Sequence, residues 1–367
     1  MVDRTTARRQ ILVVGPAWVG DMVMAQSLFK ALRSNNPTTT IDVLAPSWSV
    51  PILNRMREVR RAIPLAVGHG QLGLLTRWQA AKSLRKQSYE RAIVLPRSAK
   101  SAIVPWLAGI PRRTGYRGEF RYGLLNDIRP INRTTTYRTV DRFVALAPDT
   151  HHAAPTSDVK NLHLPELEST PEQQAKAAAL LNLRLDTPIL TLCPGAEYGP
   201  AKRWPAQYFT VLANDYLARG WQVWLLGSTK DAPITRSIAE QADGVIDLAG
   251  KTTLVQAIDL LASSTLTVTN DSGLMHIAAA TNTPLVALYG SSDPEYTPPL
   301  SKHAEVLYLD LECSPCFKRE CPLKHFECLH GITPATVEKA IAKLKAETAG
   351  TPAPQQLSTQ VLLKTTK

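Results

Sequence analysis

The stretch Ile11-Leu-Val-Val-Gly-Pro-Ala-Trp-Val-Gly-Asp-Met-Val-Met-Ala-Gln-Ser-Leu28 contains the unit from which the fold can be derived. Its first four residues are continuously apolar, which predicts a buried strand. A turn with two glycines follows, and from Asp21 the apolar residues recur at helical spacing until Asn35-Asn36-Pro37 ends the helix. A strand, a loop and a helix in succession form the building unit of a parallel α/β sheet.

The same alternation recurs along most of the chain. Further strands are predicted at 41–44, 92–95, 189–193, 222–226, 245–248, 266–269 and 285–289, and further helices at 74–86, 206–219, 231–241, 254–262 and 272–281. Repeated βα units favour doubly wound parallel sheets with right-handed crossovers. Five prolines between 148 and 188 interrupt the alternation and indicate a domain boundary.

We therefore predict two Rossmann-like domains that face each other across a cleft. The predicted boundaries are an N-terminal extension at 1–10, an N-terminal domain at 11–170, a linker region at 171–187, a C-terminal domain at 188–346 and a flexible tail at 347–367. In such sheets ligands bind beyond the carboxyl ends of the strands. The loops that follow the strands are consequently where functional residues are to be sought.

Composition narrows the class of protein. The chain has 367 residues with 44% hydrophobic and 20% charged residues, which excludes a largely disordered chain and a small disulfide scaffold. Its formal charge is +11, but residues 1–165 carry 25 Lys and Arg against 10 Asp and Glu, and the remainder carries 17 against 21. The basic half is expected to meet an anion, which leaves nucleic acid, a phosphorylated molecule and an anionic membrane open. Apolar runs are too short for a membrane span or a signal peptide, so we expect a cytoplasmic protein.

Three loops carry residues suited to chemistry. Asp21 begins a helix, where it serves either as an N-cap or as a carboxylate that accepts a proton from a hydroxyl group. Lys202 lies in the glycine- and proline-rich loop after the strand at 189–193, where it is either a solvated cation or a partner for phosphate. Ser272 and Gly273 start a helix whose free N–H groups can bind an anion, and His276 is either a packed core residue or part of that site.

Four of the five cysteines crowd into one segment, with the spacing Cys313-x2-Cys316-x4-Cys321-x6-Cys328. Four thiols this close can meet the tetrahedral geometry of Zn²⁺. The spacing differs from a pair of C-x2-C knuckles, so reduced thiols without metal and a disulfide or cluster remain open. Cys193 stands apart and is expected to pack at the end of a strand.

Taken together, the loops resemble one known family. The matching segments are 16–28, 64–70, 109–119, 121–127, 194–205, 270–280 and 285–290, and the resemblance extends from about Ile11 to Leu344. These segments are similar to the ADP-heptose–lipopolysaccharide heptosyltransferase II family, which belongs to glycosyltransferase family 9 and has the GT-B fold. The resemblance implies an inverting transfer of L-glycero-D-manno-heptose from ADP-heptose to the first heptose of the Kdo2-lipid A core. A sister enzyme that acts on Kdo or on a later heptose is the alternative.

The resemblance also assigns roles to residues. Asp21 matches the family's proposed base and Lys202 its phosphate-contacting lysine, and no divalent ion is implied for catalysis because no D-x-D pair is evident. The donor residues implied, some of them in loops that vary between members, are Glu197, Tyr198, Gly227, Ser228, Thr252, Asp271, Ser272, Gly273 and His276. The cysteines lie outside the shared catalytic pattern, which leaves a structural zinc site as a hypothesis.

The charged N-terminal half then has an expected partner. An acceptor that bears phosphates and Kdo carboxylates within an anionic inner-membrane leaflet would attract it, which places the enzyme peripherally on the cytoplasmic face. The arginines expected to face the acceptor are Arg60, Arg61, Arg112, Arg113, Arg117 and Arg121. Nucleic acid is disfavoured as a partner because no nucleic-acid motif is present.

Overall fold

The computed structural model describes residues 9–68, 71–132, 134–149 and 163–349. These residues form two parallel six-stranded sheets flanked by helices. The predicted tail at 347–367 lies outside the described residues from position 350 onward, and the first eight residues of the predicted extension also lie outside them.

The N-terminal sheet has the order β3-β2-β1-β4-β5-β6, and every neighbouring pair is parallel. Its strands are β1 (Gln10–Val14), β2 (Thr40–Pro46), β3 (Val59–Leu65), β4 (Arg91–Val94), β5 (Arg112–Tyr116) and β6 (Asp127–Arg129). The helices of this half are α1 (Val19–Asn35), α2 (Val50–Leu53), α3 (Leu74–Leu84), α4 (Ile103–Leu107) and α5 (Thr139–Val144). Val13 of the central strand β1 lies opposite Val43 and Ile93, so an apolar core surrounds the start of the first loop.

The C-terminal sheet has the order β12-β11-β10-β7-β8-β9 and is also parallel throughout. Its strands are β7 (Ile189–Cys193), β8 (Gln222–Leu225), β9 (Ile246–Asp247), β10 (Leu266–Asn270), β11 (Leu285–Leu288) and β12 (Ala304–Leu307). The helices are α6 (Pro171–Leu180), α7 (Ala206–Ala218), α8 (Ala232–Ala239), α9 (Leu254–Ser263), α10 (Gly273–Ala280), α11 (Glu327–His330) and α12 (Pro334–Ala349).

Both sheets have the same winding. Numbered from its own first strand, each has the Rossmann order 3-2-1-4-5-6, which confirms the prediction of two Rossmann-like units. The strand order reverses between β1 and β4 in the N-terminal sheet and between β7 and β10 in the C-terminal sheet. The segments after these strands contain Asp21, Lys202 and Asp271, so the topology directs the candidate residues to the two switch points.

Helix α1 joins the two halves. Its residues 22–29 are buried on every side, which requires packing partners on more than one face. The helix contacts α5 of its own half and α10 of the other half. The apolar residues of this buried helix therefore belong to a core that continues from one domain into the other.

The predicted linker region contains helix α6, which packs against α9 of the C-terminal half. Thr170 and Gln173 form a capping box at its start. Nearby, Arg55 of the N-terminal half donates to Asp259 of α9 at 2.8 Å, and both side chains are buried. The connection between the domains is thus stabilised by the packing of α6 and by the buried Arg55–Asp259 ion pair.

Two features of the N-terminal half differ from expectation. Strands β3, β5 and β6 lie outside the predicted set because charged residues interrupt each of them and none is a continuous apolar run. In α3, Arg77 departs from the exposed position usual for an arginine on a surface helix, because it is buried and donates to the carbonyl oxygen of Leu72 at 2.6 Å. None of the helices in the described ranges combines the length and the apolar character that a bilayer span requires.

Candidate active site

The N-termini of α1 and α10 meet where the two domains contact each other. A Cβ atom at Gly20 would lie 2.4 Å from Cδ2 of His276, and a Cβ atom at Gly273 would lie 2.8 Å from Cβ of Val19. Each helix start therefore carries a glycine where the other helix approaches. Side chains in the first turns of both helices share one partly enclosed region.

Asp21 lies in the first turn of α1, but it is not the N-cap. Trp18 occupies that position, and no side chain caps the helix there. Burial raises the pKa of Asp21 to about 6, while Lys202 lowers it and Asp271 raises it. The interpretation of Asp21 as a cap is therefore wrong, and its pKa suits a group that gains and loses a proton near neutral pH.

Lys202 and Asp271 form a tight ion pair across the C-terminal switch point. The Lys202 ammonium donates to Oδ2 of Asp271, and the hydroxyl of Ser292 donates to the same oxygen at 2.5 Å. Both charged side chains are largely buried, at 17% and 4% exposure. The ammonium also lies 5.1 Å from the ring centroid of Tyr198. Lys202 is thus held in place before any ligand arrives.

The start of α10 offers free donors. Ser272 is the N-cap, and its hydroxyl oxygen is buried without a hydrogen-bond partner among the described residues. Buried hydroxyl groups are usually paired, so an unpaired one beside free helix N–H groups is suited to a ligand. Burial lowers the pKa of His276 to about 4, which keeps its imidazole neutral. The structure thus brings together Asp21, Lys202, Asp271, Ser272 and His276, while their roles in binding and catalysis stay predictions.

The other predicted donor residues line the loops after β7 and β8. Gly195 and Gly227 both pack against Asp231, where a Cβ atom would lie 2.3 and 2.9 Å from that side chain. The Asp231 carboxylate accepts hydrogen bonds from the hydroxyl and from the backbone N–H of Ser228, at 2.7 and 2.9 Å.

The remaining two predicted donor residues, Glu197 and Thr252, lie closer to solvent. Glu197 forms an exposed ion pair with Lys230. Thr252 is half-buried just before α9.

Most of the predicted acceptor arginines have partners within the protein. Arg60 and Arg61 both donate to Asp42, a fully buried carboxylate. Burial alone would raise the pKa of Asp42, but these bonds and one from Tyr89 lower it. The Arg112 guanidinium is shared between Asp127 and Asp149. These three arginines therefore hold strands and loops together.

Two more arginines bind backbone carbonyl groups. Arg113 donates to Ile110 and Leu124, and Arg121 donates to Tyr116 and Pro96. Arg121 is only 1% exposed. A guanidinium buried and saturated in this way cannot reach an acceptor, which corrects the expectation for Arg121.

A cavity of about 980 Å³ lies between the domains. Of the predicted acceptor arginines, Arg117 lines this cavity. Arg97 and Arg142 also line it and were not predicted from the sequence. The lining residues with cationic or aromatic groups are Arg97, Arg117, Phe120, Tyr122, Tyr137, Arg142, Tyr296 and Phe317. Arg142 donates to the Tyr296 hydroxyl at 2.7 Å, and Tyr296 follows four residues after the Ser292 that contacts Asp271. One short segment thus connects the ion pair to the cavity wall.

The four clustered cysteines surround a second, much smaller cavity. All of them are free thiols, and Cys193 is buried at the end of β7 as expected. Within the described ranges, no three His, Cys, Asp or Glu side chains are arranged as a ready metal site. The structural zinc site therefore stays a prediction.

Comparison with known proteins gives a consistent result. Residues 77–327 match the model of "Glycosyltransferase family 9 (heptosyltransferase)". The "Lipopolysaccharide heptosyltransferase 2" of Escherichia coli K12 is 45% identical over 334 residues, which are 89% of this chain and 96% of that protein. The "Lipooligosaccharide heptosyltransferase 2" of Haemophilus influenzae is 48% identical over 82% of this chain and 88% of its own. The solved structure of E. coli ADP-heptose lps heptosyltransferase II superimposes with a TM-score of 0.82 at 42% identity, covering 93% of this chain and 99% of that one.

Proposed function

This chain belongs to glycosyltransferase family 9, and on that premise we propose that it transfers L-glycero-D-manno-heptose from ADP-heptose to the first heptose of Kdo2-lipid A. The transfer inverts the configuration at the anomeric carbon. The observation that carries this proposal is the approach of Asp21 and Lys202 at the contact of α1 and α10. One residue supplies a base and the other a cation, and they belong to different domains.

The diphosphate of the donor would bind at the start of α10. Lys202 and the free N–H groups of Ser272 and Gly273 would offset the charge that remains on ADP as the sugar leaves. The hydroxyl of Ser272 supports this placement because it is buried and has no hydrogen-bond partner in the described part of the chain. Asp271 keeps the ammonium in position, and the sugar or ribose hydroxyl groups can reach its carboxylate. No divalent ion takes part in this scheme.

Asp21 would activate the acceptor. As the acceptor oxygen bonds to the anomeric carbon, its proton passes to the Asp21 carboxylate, and the bond from that carbon to the ADP oxygen breaks. Such a displacement requires the base and the leaving group on opposite sides of the sugar. Their positions on separate domains meet this requirement once the cleft closes and excludes water.

The acceptor would lie in the interdomain cavity. Its volume of about 980 Å³ suits an oligosaccharide, and its arginines suit carboxylates and phosphates. Arg97 and Arg117 are exposed, and Arg142 is held against Tyr296 at 4.8 Å from the ring centroid. Aromatic rings beside cations are suited to a sugar that carries negative charge.

An anionic membrane surface would be met by the outer face of α3 and α4. Leu75 is 78% exposed, and Trp78 and Trp106 are about half exposed. Lys82 lies 5.5 Å from the Trp78 ring centroid, and Arg85 and Lys86 follow. Apolar and indole side chains beside basic ones are typical of a surface that lies on an anionic leaflet. We therefore propose that the protein lies peripherally on the cytoplasmic face of the inner membrane.

The test is transfer of radiolabelled heptose to defined acceptors. Heptosyl-Kdo2-lipid A should accept the label, whereas Kdo2-lipid A and a core that already carries later heptoses should not. Labelling of either of the other two acceptors in place of the first would favour the sister enzyme. Absence of transfer to heptosyl-Kdo2-lipid A from ADP-heptose would overturn the proposal.

A further inference from the structure

The segment that follows β12 and runs into the first turn of α11, residues 308–328 and here called the cysteine loop, lacks the usual interactions that stabilise a fold. Residues 308–326 contain neither helix nor strand, which is long for an irregular segment of a compact domain. Its larger apolar side chains point outward, since Phe317 is 46% and Leu323 59% exposed. The cysteines, by contrast, are partly buried. Hydrophobic burial within the loop therefore does not explain its shape.

The interior of the cysteine loop is a small sulfur-lined cavity. Cys313, Cys316, Cys321, Cys328 and His325 all line a space of about 20 Å³. A volume of this size holds one water molecule or one ion. Ser291 and Ser314 also line this space, so its wall holds hydroxyl groups as well as sulfur atoms. Four thiols around one ion-sized space supply the number and the type of ligands of a structural Zn²⁺ site, and a bound ion would draw them into its tetrahedral geometry.

The backbone turns tightly between the clustered cysteines. Phe317, Lys324 and Phe326 have φ values of 53°, 60° and 53°, so the chain makes left-handed turns between Cys316 and Cys321 and again between Cys321 and Cys328. These turns let the three cysteines line the same small cavity.

His325 acts as a support rather than a fifth ligand. Its Nδ1 accepts a hydrogen bond from the backbone N–H of Glu327 at 2.9 Å. In the neutral ring the proton is then on Nε2, which lies 4.0 Å from Sγ of Cys313. A protonated nitrogen cannot bind a metal ion, but it can donate to a thiolate. The ligand set is therefore the four cysteines.

The cysteine loop also holds the segment that carries Lys202. The N–H of Ala201 donates to the carbonyl oxygen of Arg319 at 3.0 Å. The hydroxyl of Tyr198 donates to the carbonyl oxygen of Phe317 at 2.8 Å. Gly199 has a φ of 154°, and a Cβ atom there would lie 2.5 Å from the Arg319 oxygen. The loop backbone thus forms the back wall of the Lys202 segment on both sides of Gly199.

From this arrangement we infer that Cys313, Cys316, Cys321 and Cys328 bind one Zn²⁺ ion as thiolates, and that this ion fixes the cysteine loop against the Lys202 segment. Binding releases the thiol protons to solvent, and no sulfur is oxidised. The ion stabilises the loop and does not touch the substrates. Its connection to donor binding rests on the function proposed for Lys202, whereas the metal site itself does not.

Metal content is measured first, on the full chain purified under reducing conditions without chelator. We expect about one zinc per chain by elemental analysis, with loss of zinc in the Cys316→Ser and Cys321→Ser variants. Cys193→Ala, which removes the one cysteine outside the loop, should keep it. Far less than one equivalent, with no uptake of added Zn²⁺ by the reduced protein, would overturn the site. Stoichiometric iron instead would overturn the choice of zinc.

The structural role is then measured on the folded wild-type chain without its metal. A mercurial reagent and a chelator remove the metal, and excess thiol then removes the mercurial reagent from the cysteines. Trypsin should cleave the exposed Lys318, Arg319 and Lys324 at least tenfold faster, and ADP should bind about tenfold more weakly, with both changes reversed by Zn²⁺. Unchanged cleavage would overturn the role in shaping the loop. Changed cleavage with unchanged ADP affinity would overturn only the connection to Lys202.

Discussion

The imidazole of His276 packs directly on the backbone of Gly20, and these two residues belong to different domains. The contact leaves no room for a side chain at position 20, because a Cβ atom there would lie 2.4 Å from Cδ2 of the ring. The glycine therefore permits the approach of α1 and α10, which brings Asp21 close to Lys202.

The Gly20→Ala variant is expected to destabilise the protein by about 1–3 kcal/mol through overpacking against His276. The same substitution in a His276→Ala background should be neutral or stabilising, because the steric conflict is gone and alanine is a better helix former than glycine. Thermal unfolding of the four proteins measures the coupling. Equal destabilisation in both backgrounds would contradict the contact as the cause.

Asp21→Asn is expected to lower kcat by about 10²–10⁴-fold, the usual contribution of a general base, while ADP affinity stays within twofold. Because burial places the pKa of Asp21 at about 6, kcat/KM of the wild type should fall tenfold per pH unit below that value and level off above it. Near-normal turnover by the Asn variant would exclude Asp21 as the base.

The same pKa predicts an effect on stability. A carboxyl group with a raised folded-state pKa contributes stability at pH values below its ordinary pKa, and this contribution is lost as the pH rises through 6. Asp21→Asn should therefore become more stable relative to the wild type between pH 4 and pH 8. Thermal unfolding across this range measures the difference, and a constant difference would speak against a buried ionised Asp21.

Ser272→Ala should weaken the binding of ADP-heptose by about tenfold without reducing stability, because its buried hydroxyl has no partner in the described part of the protein. Ser27→Ala is the matched control. The Ser27 hydroxyl is also buried without a partner among the described residues, but it lies within α1 among core residues. Calorimetric titration with ADP-heptose or ADP should separate the two variants, and equal affinities would remove Ser272 from the donor site.

Arg117→Ala and Arg121→Ala should have opposite consequences. Arg117 is exposed in the interdomain cavity, so its loss should raise KM for the acceptor about tenfold and leave the unfolding temperature unchanged. Arg121 is buried and bound to carbonyl groups, so its loss leaves several acceptors unpaired and should destabilise the domain by about 2–4 kcal/mol. An acceptor effect confined to Arg121 would mean that the cavity is not the acceptor site.

Leu75→Glu should weaken binding to vesicles with anionic lipids by about tenfold or more, since it removes an exposed apolar side chain and adds a repelled charge. Leu180→Glu is the control, because Leu180 is 65% exposed on α6, far along the chain from α3. Wild-type binding should also decline as salt rises from 50 to about 500 mM, because screening weakens each basic contact. If cosedimentation with anionic vesicles changes neither with the Leu75→Glu substitution nor with salt, this result would contradict docking through α3.

Much of the fold could be predicted because the inner strands of parallel sheets are buried and almost entirely apolar, as in 11–14 and 189–193. The residues at the switch points could be predicted because they directly follow such strands. Arg117 and Arg121 show where this reasoning ends. Both lie in one short arginine-rich loop, and only the packing of carbonyl groups around Arg121 separates a structural guanidinium from one that faces the cavity.

The identical winding of the two sheets puts Asp21 near one switch point and Lys202 near the other. In the proposed mechanism the base belongs to one domain and the diphosphate-binding cation to the other, so neither domain would be a competent catalyst by itself. An ADP-heptose molecule bound to the C-terminal domain alone would then meet no base that could activate a stray water molecule. Reactivity is therefore conditional on the relative position of two rigid bodies. A mutation far from both ligands can then change the rate if it changes how often these bodies meet.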